Sequence, residues 1–421
     1  MIRGIRTLAA VVVGSAALLG TGVLAASPAG ADGSWSGPSG TTLYVSAAQS
    51  PTAAHAWSDD WSNWGGGHGG CASAAYSTIG AAVAAAPAGS TVVVCPGTYT
   101  EDVTLDTPLT LVGQQATIDA TGLDNGVVVH ASGSRVSGFT VEHAIGEGIL
   151  VQGAPGAPVT GVTISSNTVV ANDQGFLSMQ SENYGGYAEC MPNAGQPGDC
   201  GEGIHLMVAA DSTVTRNQVS GNTGGVLLTD EFGPTHGNTV SFNNVHDNTF
   251  DCGITLAGHN PGAFGPSGPN PTVGGVFDNS ILGNASVANG VAGQGAGVLM
   301  ATPFPGGAVY GNTVSGNYLA GNGLAGVTVH SHAPGQDLNG NTISWNLIGT
   351  NNVDGDPDFY PAVDPSTTGI IVAAVAPLAI TVTHNLIAHN VYGIWTLPAV
   401  TITGGATANA FVGVTTPVFV G

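Results

Sequence analysis

Nine times between residues 126 and 396 the chain returns to a glycine followed by a short apolar run. Examples are Gly126-Val127-Val128-Val129, Gly148-Ile149-Leu150-Val151, Gly203-Ile204-His205-Leu206, Gly225-Val226-Leu227-Leu228 and Gly253-Ile254-Thr255-Leu256. The shortest returns are 22 residues, and the last, Gly369 to Gly393, is 24. Longer intervals leave room for inserted loops. A second element alternates with the first, an asparagine pair at a spacing of five: Asn167/Asn172, Asn217/Asn222, Asn279/Asn284, Asn312/Asn317, Asn341/Asn346 and Asn385/Asn390, with Asn244/Asn248 one residue shorter. A fixed period in the low twenties built from short strands is the pattern of a solenoid.

One such coil cannot satisfy its own backbone groups or bury its apolar side. Stacked coils do both, at about 4.8 Å per layer. Alternation then places Ile204 and Leu206 inside and His205 outside. Asparagine suits the bends because it tolerates left-handed backbone angles, and stacked amides can bond from coil to coil. A compact sandwich would need hairpin signals and leaves the recurring asparagine phase unexplained. Ahead of the repeats, Ser77–Ala86 reads as a short helix capped by Ser77 or Thr78 and stopped by Pro87 and Gly89, placed to cover an open sheet end.

Residues 1–31 have the form of an export signal: Arg3 and Arg6, an apolar run from Leu8 to Leu24, and the small-residue site Ala29-Gly30-Ala31. The expected organisation is therefore a signal at 1–31, an N-terminal extension at 32–75 and the repeats at 76–421, in a secreted protein with no membrane span in its mature form. Lysine is absent and only Arg135 and Arg216 remain after the signal, against 26 acidic residues. Such a charge balance excludes nucleic acid as a partner. Five cysteines in an exported chain predict disulfides, Cys71–Cys95 and Cys190–Cys200, with Cys252 left as a buried thiol.

The stretch from Tyr76-Ser77-Thr78-Ile79 through Ala86-Pro87, Gly89-Ser90-Thr91-Val92-Val93-Val94-Cys95-Pro96-Gly97-Thr98-Tyr99 and Leu109-Thr110-Leu111-Val112-Gly113 resembles the opening of right-handed parallel β-helix proteins of the pectin-lyase-like superfamily. The Asn/Gly repeats resemble those of its nitrous-oxide-reductase-maturation and carbohydrate-binding group. The resemblance spans roughly residues 41–421 and implies an all-β, single-stranded right-handed parallel β-helix with an N-terminal capping helix. It also implies a polysaccharide or cell-envelope glycan as partner, while members range from lyases, glycosidases and epimerases to binding proteins, so the fold does not select an activity. Lyases of this kind use Lys or Arg, often with calcium. The lack of lysine here argues against that chemistry.

Counting from the glycines gives a candidate site. Glu231 lies six residues after Gly225, His259 six after Gly253 and His332 six after Gly326. Coils in register would bring Glu231 and His259 about 5 Å apart, a carboxylate–imidazole pair suited to acid–base work. Asp230, beside Glu231, joins them as a third candidate. His205 and His332 are candidate substrate contacts. Glu202 and Asp251 precede their glycines and fall at the opposite strand end, with Asp251 about 26 Å from His259 if the intervening residues are one extended strand. Asp354, Asp356 and Asp358 alternate in a turn and could hold calcium, though Pro365 stands where an EF-hand has its glutamate. His330 and His332 could contribute to a transition-metal site but lack a third ligand. Two functions follow: a carbohydrate-active enzyme working along the outer sheet, or a non-catalytic extracellular β-helix that binds glycan or serves structurally.

Overall fold

The computed structural model describes residues 40–47, 70–175, 200–293, 295–353 and 366–421. The chain is a right-handed parallel β-helix. Its strands form a 21-stranded sheet, an 11-stranded sheet and a short 5-stranded sheet. Every coil-to-coil strand pairing is parallel; the antiparallel strand pair among the described residues is the small hairpin Phe264–Gly265 with Gly268–Pro269. In the 11-stranded sheet the strands Ile149–Gln152, Glu202–Met207, Gly224–Thr229 and Ile254–Ala257 lie side by side in that order.

Alternation decides what each strand buries. Ile149, Ile204, Val226, Ile254, Val298 and Val327 stack in register, and all six belong to one continuous core. The glycines that open these strands sit where coils approach closely. A Cβ at Gly225 would lie 2.2 Å from the Gly253 carbonyl oxygen, so a larger residue would force the coils apart.

Asparagines hold the bends, in three columns rather than two. One runs Asn167, Asn217, Asn243, Asn284, Asn317, Asn346, Asn385 and Asn409. Another runs Asn172, Asn222, Asn248, Asn289, Asn322, Asn351 and Asn390. The third begins at Ser212 and continues through Asn238, Asn279, Asn312 and Asn341. The rung that sequence spacing gave to Asn244 belongs to Asn243, which restores the spacing of five; the Asn244 side chain instead bonds Gln218. In the first column, the Asn243 carboxamide oxygen accepts from the Asn217 backbone and side chain at 2.9 and 3.0 Å. Its amide group donates to the Val214 carbonyl and to Asn284, both at 3.0 Å.

The left-handed angle expected of asparagine falls on the residue before it. Arg216, Phe242, Trp345 and His384 have φ between 55° and 60°, and Gly283 and Gly316 occupy the same position with φ 63° and 70°. Asparagine is therefore selected here for its side chain, which donates and accepts at once.

The first strand of the stack, Thr42–Val45, pairs with Thr91–Val94 in register, so the coils begin well ahead of residue 76. The helix is Ile79–Ala85, and it packs on Thr42–Val45, Thr91–Val94 and Val103–Leu105, the first strands of the two large sheets. Thr78 occupies the N-cap without a side-chain bond. The Glu101 carboxylate takes over that task, accepting from the Ile79 and Gly80 amides at 2.8 Å each. Cys71 and Cys95 are joined as a disulfide with Cα atoms 5.6 Å apart. Cys200 is also disulfide-bonded, and Cys190 lies outside the described residues. Cys252 is a buried free thiol whose burial pushes its pKa up, which leaves it unreactive.

Replacing Asn243 by alanine removes four hydrogen bonds and strands the Asn217 amide and the Val214 carbonyl in the interior. The expected loss is about 3 kcal/mol or more, from one to three per stranded group. Asn244→Ala, one residue away, should cost under ~1 kcal/mol. Chemical denaturation of the two variants checks this contrast.

Candidate functional site

The strand registers Val226↔Ile254 and Leu228↔Leu256 carry on past the strand ends. They bring Glu231 and His259 together, with Oε1 of Glu231 2.7 Å from Nδ1 of His259. The Glu231 side chain is 24% exposed and that of His259 5%. Burial alone would raise the Glu231 carboxyl. The hydrogen bond and charge of His259, the charge of His205 and the Thr229 hydroxyl outweigh it and hold the group down at about 2. Glu231 is thus a carboxylate at neutral pH, and it fixes which imidazole nitrogen faces it.

Asp230 points the other way from the same turn. Its Oδ1 accepts from the backbone amides of His259 and Asn260 at 2.6 and 3.0 Å, and its Oδ2 from the Gly275 amide at 2.5 Å. Burial pushes this carboxyl up to about 6 against the pull of those three donors. Both oxygens are engaged, so Asp230 ties the inserted segment around residues 259–275 to the coil and fixes the His259 backbone.

The pair continues inward. Oε2 of Glu231 receives the Thr229 hydroxyl at 2.5 Å, Nε2 of His205 lies 2.8 Å from the same hydroxyl oxygen, and Nδ1 of His205 lies 3.3 Å from Oε1 of Glu147. Five side chains from four successive coils therefore form one chain: Glu147, His205, Thr229, Glu231, His259. His205 was expected to face outward into a groove. It does leave the core side of its strand, but its two ring nitrogens meet Glu147 and Thr229, and its side chain is 3% exposed.

Glu147 and Thr229 were missed in the sequence, although both leave a trace there. Glu147-Gly148-Ile149 repeats as Glu202-Gly203-Ile204, and the alternation that puts Leu228 inside puts Thr229 outside. Glu202 stands against Gly224, whose added Cβ would meet its carboxylate at 2.2 Å. The strand after Asp251 is only Ile254–Ala257, so the extended run assumed between Asp251 and His259 does not exist, and the His259 charge acts on Asp251.

His332 stands apart from this group. Register places His330 beside Ala301 and Ala301 beside Ala257, so His332 lies two coils from His259, about 10 Å. Its ring packs edge-on against His330, with centroids 4.3 Å apart. Asp354, Asp356 and Asp358 lie outside the described residues. Among the described residues, one group of three His/Cys/Asp/Glu ligand atoms lies within 4.8 Å: Asp119, Glu142 and His143. Asp119 and Glu142 are cross-strand neighbours, and Asp119 accepts from His143 at 3.1 Å.

Residues 110–297 match the sequence profile of a family described as periplasmic copper-binding protein (NosD). No curated protein matches the sequence. Among solved structures, the A-module of a mannuronan C-5 epimerase from Azotobacter vinelandii is 16% identical, covers 81% of this chain and 92% of its own, and has a TM-score of 0.47. An alginate lyase from Paenibacillus is 10% identical over 79% of this chain and 94% of its own, with a TM-score of 0.46. For a pectate lyase the identity is 15%, the coverage 73% and 72%, and the TM-score 0.41. The chain is similar to these proteins in its run of parallel coils, and its own strand pairing establishes that architecture.

Proposed function

We propose that this protein is exported and acts on a glycan by acid–base chemistry at His259, oriented by Glu231. The observation that carries the reading is the 2.7 Å contact between a carboxylate held at about 2 and Nδ1 of His259. A carboxylate there keeps the proton on Nδ1, which leaves Nε2 to take or give a proton. Asp230 positions His259 through its backbone. Because both Asp230 oxygens are engaged, Glu231 and Asp230 do not form the carboxylate pair that a two-acid hydrolase divides between its roles.

Several features support the glycan. The net charge of −22 repels polyanions, so a neutral or weakly charged polymer is the better fit along the outer sheet. A disulfide fits an oxidising compartment, and among the described residues no helix is long and apolar enough to cross a membrane. Copper is named for the matching family; the three-ligand group among the described residues, Asp119, Glu142 and His143, offers two carboxylates and one imidazole. No step is assigned to it. Calcium at Asp354, Asp356 and Asp358 stays a proposal from sequence alone.

A second reading, a non-catalytic β-helix, is favoured by the burial of His259. On that reading the polar chain is a satisfied interior network. Incubation of the mature protein with neutral and uronate-containing glycans separates the two. Catalysis predicts new chain ends, a loss of about 10²–10⁴ in rate for His259→Ala, and a smaller loss for Glu231→Gln. Binding without cleavage by any of the three proteins establishes the second reading; equal turnover by all three removes the site.

The pKa shifts also predict how stability depends on pH. Glu231 is held below its unfolded value, so its contribution is full above about pH 4.5 and is lost as pH falls towards 2. Asp230 is raised to about 6, so it has the opposite sign, and its contribution falls as pH rises from about 4 to 6. Wild type should exceed Glu231→Gln by about 2–3 kcal/mol at pH 7 and by much less at pH 2.5, measured by urea unfolding. A difference that does not change with pH would contradict the assigned ionisation.

A further inference from the structure

The polarity of the five-residue hydrogen-bond chain follows from how many protons each group can offer. Glu231 is ionised and can only accept, at Oε1 from His259 and at Oε2 from Thr229. The Thr229 hydroxyl has a single proton, and this contact uses it. Towards His205 the same oxygen can then only accept, so Nε2 of His205 must carry a proton. That leaves Nδ1 of His205 facing Oε1 of Glu147 at 3.3 Å. A neutral ring protonated at Nε2 would present a lone pair to a carboxylate lone pair. The contact is favourable only with a proton between them, as imidazolium with carboxylate or as imidazole with carboxylic acid.

We infer that Glu147 and His205 share one buried proton, and that this proton commits the Thr229 hydroxyl to Glu231. Glu147, His205 and Thr229 are then positioning residues for His259. With the proton present, every contact in the chain has one donor and one acceptor. If it were removed, His205 would give its remaining proton to Glu147 from Nδ1. Its Nε2 would then draw the Thr229 hydroxyl away from Glu231, and His259 would face a more strongly basic carboxylate. Thr229 is the element with two arrangements, and it joins two carboxylate–imidazole pairs that lie on different coils.

The surroundings favour holding that proton. Glu147 and His205 are buried, with side chains 4% and 3% exposed, and a pair that holds the proton carries no net charge of its own, as imidazolium with carboxylate or as imidazole with carboxylic acid. Strand register sets Glu202, also buried, on the coil next to Glu147, which adds a second carboxylate to the same region. Among the described residues, Asp230 and Asp251 are further acidic groups near the network. The first is bound to three amides, and the second feels the charge of His259. That His259 is the working group rests on the function proposed above; the position of the proton does not.

Imidazole ¹⁵N spectra of the full mature protein test both parts without any turnover assay. At pH 7 His205 should be protonated at Nε2, with or without a second proton on Nδ1. A neutral His205 protonated at Nδ1 alone would overturn the inference, and this readout needs no variant at that position. Thr229→Val removes the donor from Glu231, so the His259 titration midpoint should rise by about 0.5–1 unit, and Thr229→Ser should restore it. An unchanged His259 midpoint in a folded Thr229→Val protein would mean that the hydroxyl serves His205 instead. If the glycan reading failed while these spectra behaved as expected, the relay would stand as a structural network.

Discussion

The constraint on which the rest depends is that no coil of this protein closes its own hydrogen bonds. Each strand is completed by the coils beside it, and from Asn167 onward the bends are held by asparagines that bind the coils on either side. Asn243 alone joins Asn217, Val214 and Asn284. Because these amides donate and accept in the same geometry at every rung, they allow one register between coils. A shift by one residue would break three amide columns as well as turn the core side chains outward. The cost of the bend is carried by the residue ahead of the asparagine, where Phe242 and Trp345 accept left-handed angles and Gly283 and Gly316 take them without a side chain.

Fixed register is also what builds the candidate site. Glu147, His205, Thr229, Glu231 and His259 come from four adjacent strands and are far apart in sequence, yet each lies within hydrogen-bond reach of the next. The scarcity of cationic side chains shapes the result. With two arginines and no lysine after residue 31, carboxylates such as Glu147 and Glu231 find imidazoles as partners. Asp230 is instead hydrogen-bonded by three backbone amides. Two adjacent acids of one turn thus acquire different tasks, one holding an imidazole and the other holding the loop that carries it.

Much of this was legible because a solenoid turns spacing into position. Counting six residues from Gly225 and from Gly253 was enough to pair Glu231 with His259. The same count gave no account of His205, because alternation says which way a residue points and not what closes over it. The Glu147 carboxylate, from the coil before, is one of the groups that meet it. Adjacent Asn243 and Asn244 are indistinguishable in the sequence, and only the register at that bend assigns the rung to Asn243. The N-cap position at Thr78 was legible, but the group that bonds the helix end was not, for a similar reason. Glu101 lies 22 residues beyond Ile79, and only the stacked fold brings it to the helix end.

A diffraction structure of the protein tests the central claim most directly, since the claim concerns which atoms meet between successive coils. The account requires the Asn217, Asn243 and Asn284 side chains to form consecutive rungs and Oε1 of Glu231 to lie within hydrogen-bond distance of Nδ1 of His259. Asparagines turned out to solvent, or a register that sets Glu231 and His259 on different faces, would contradict it.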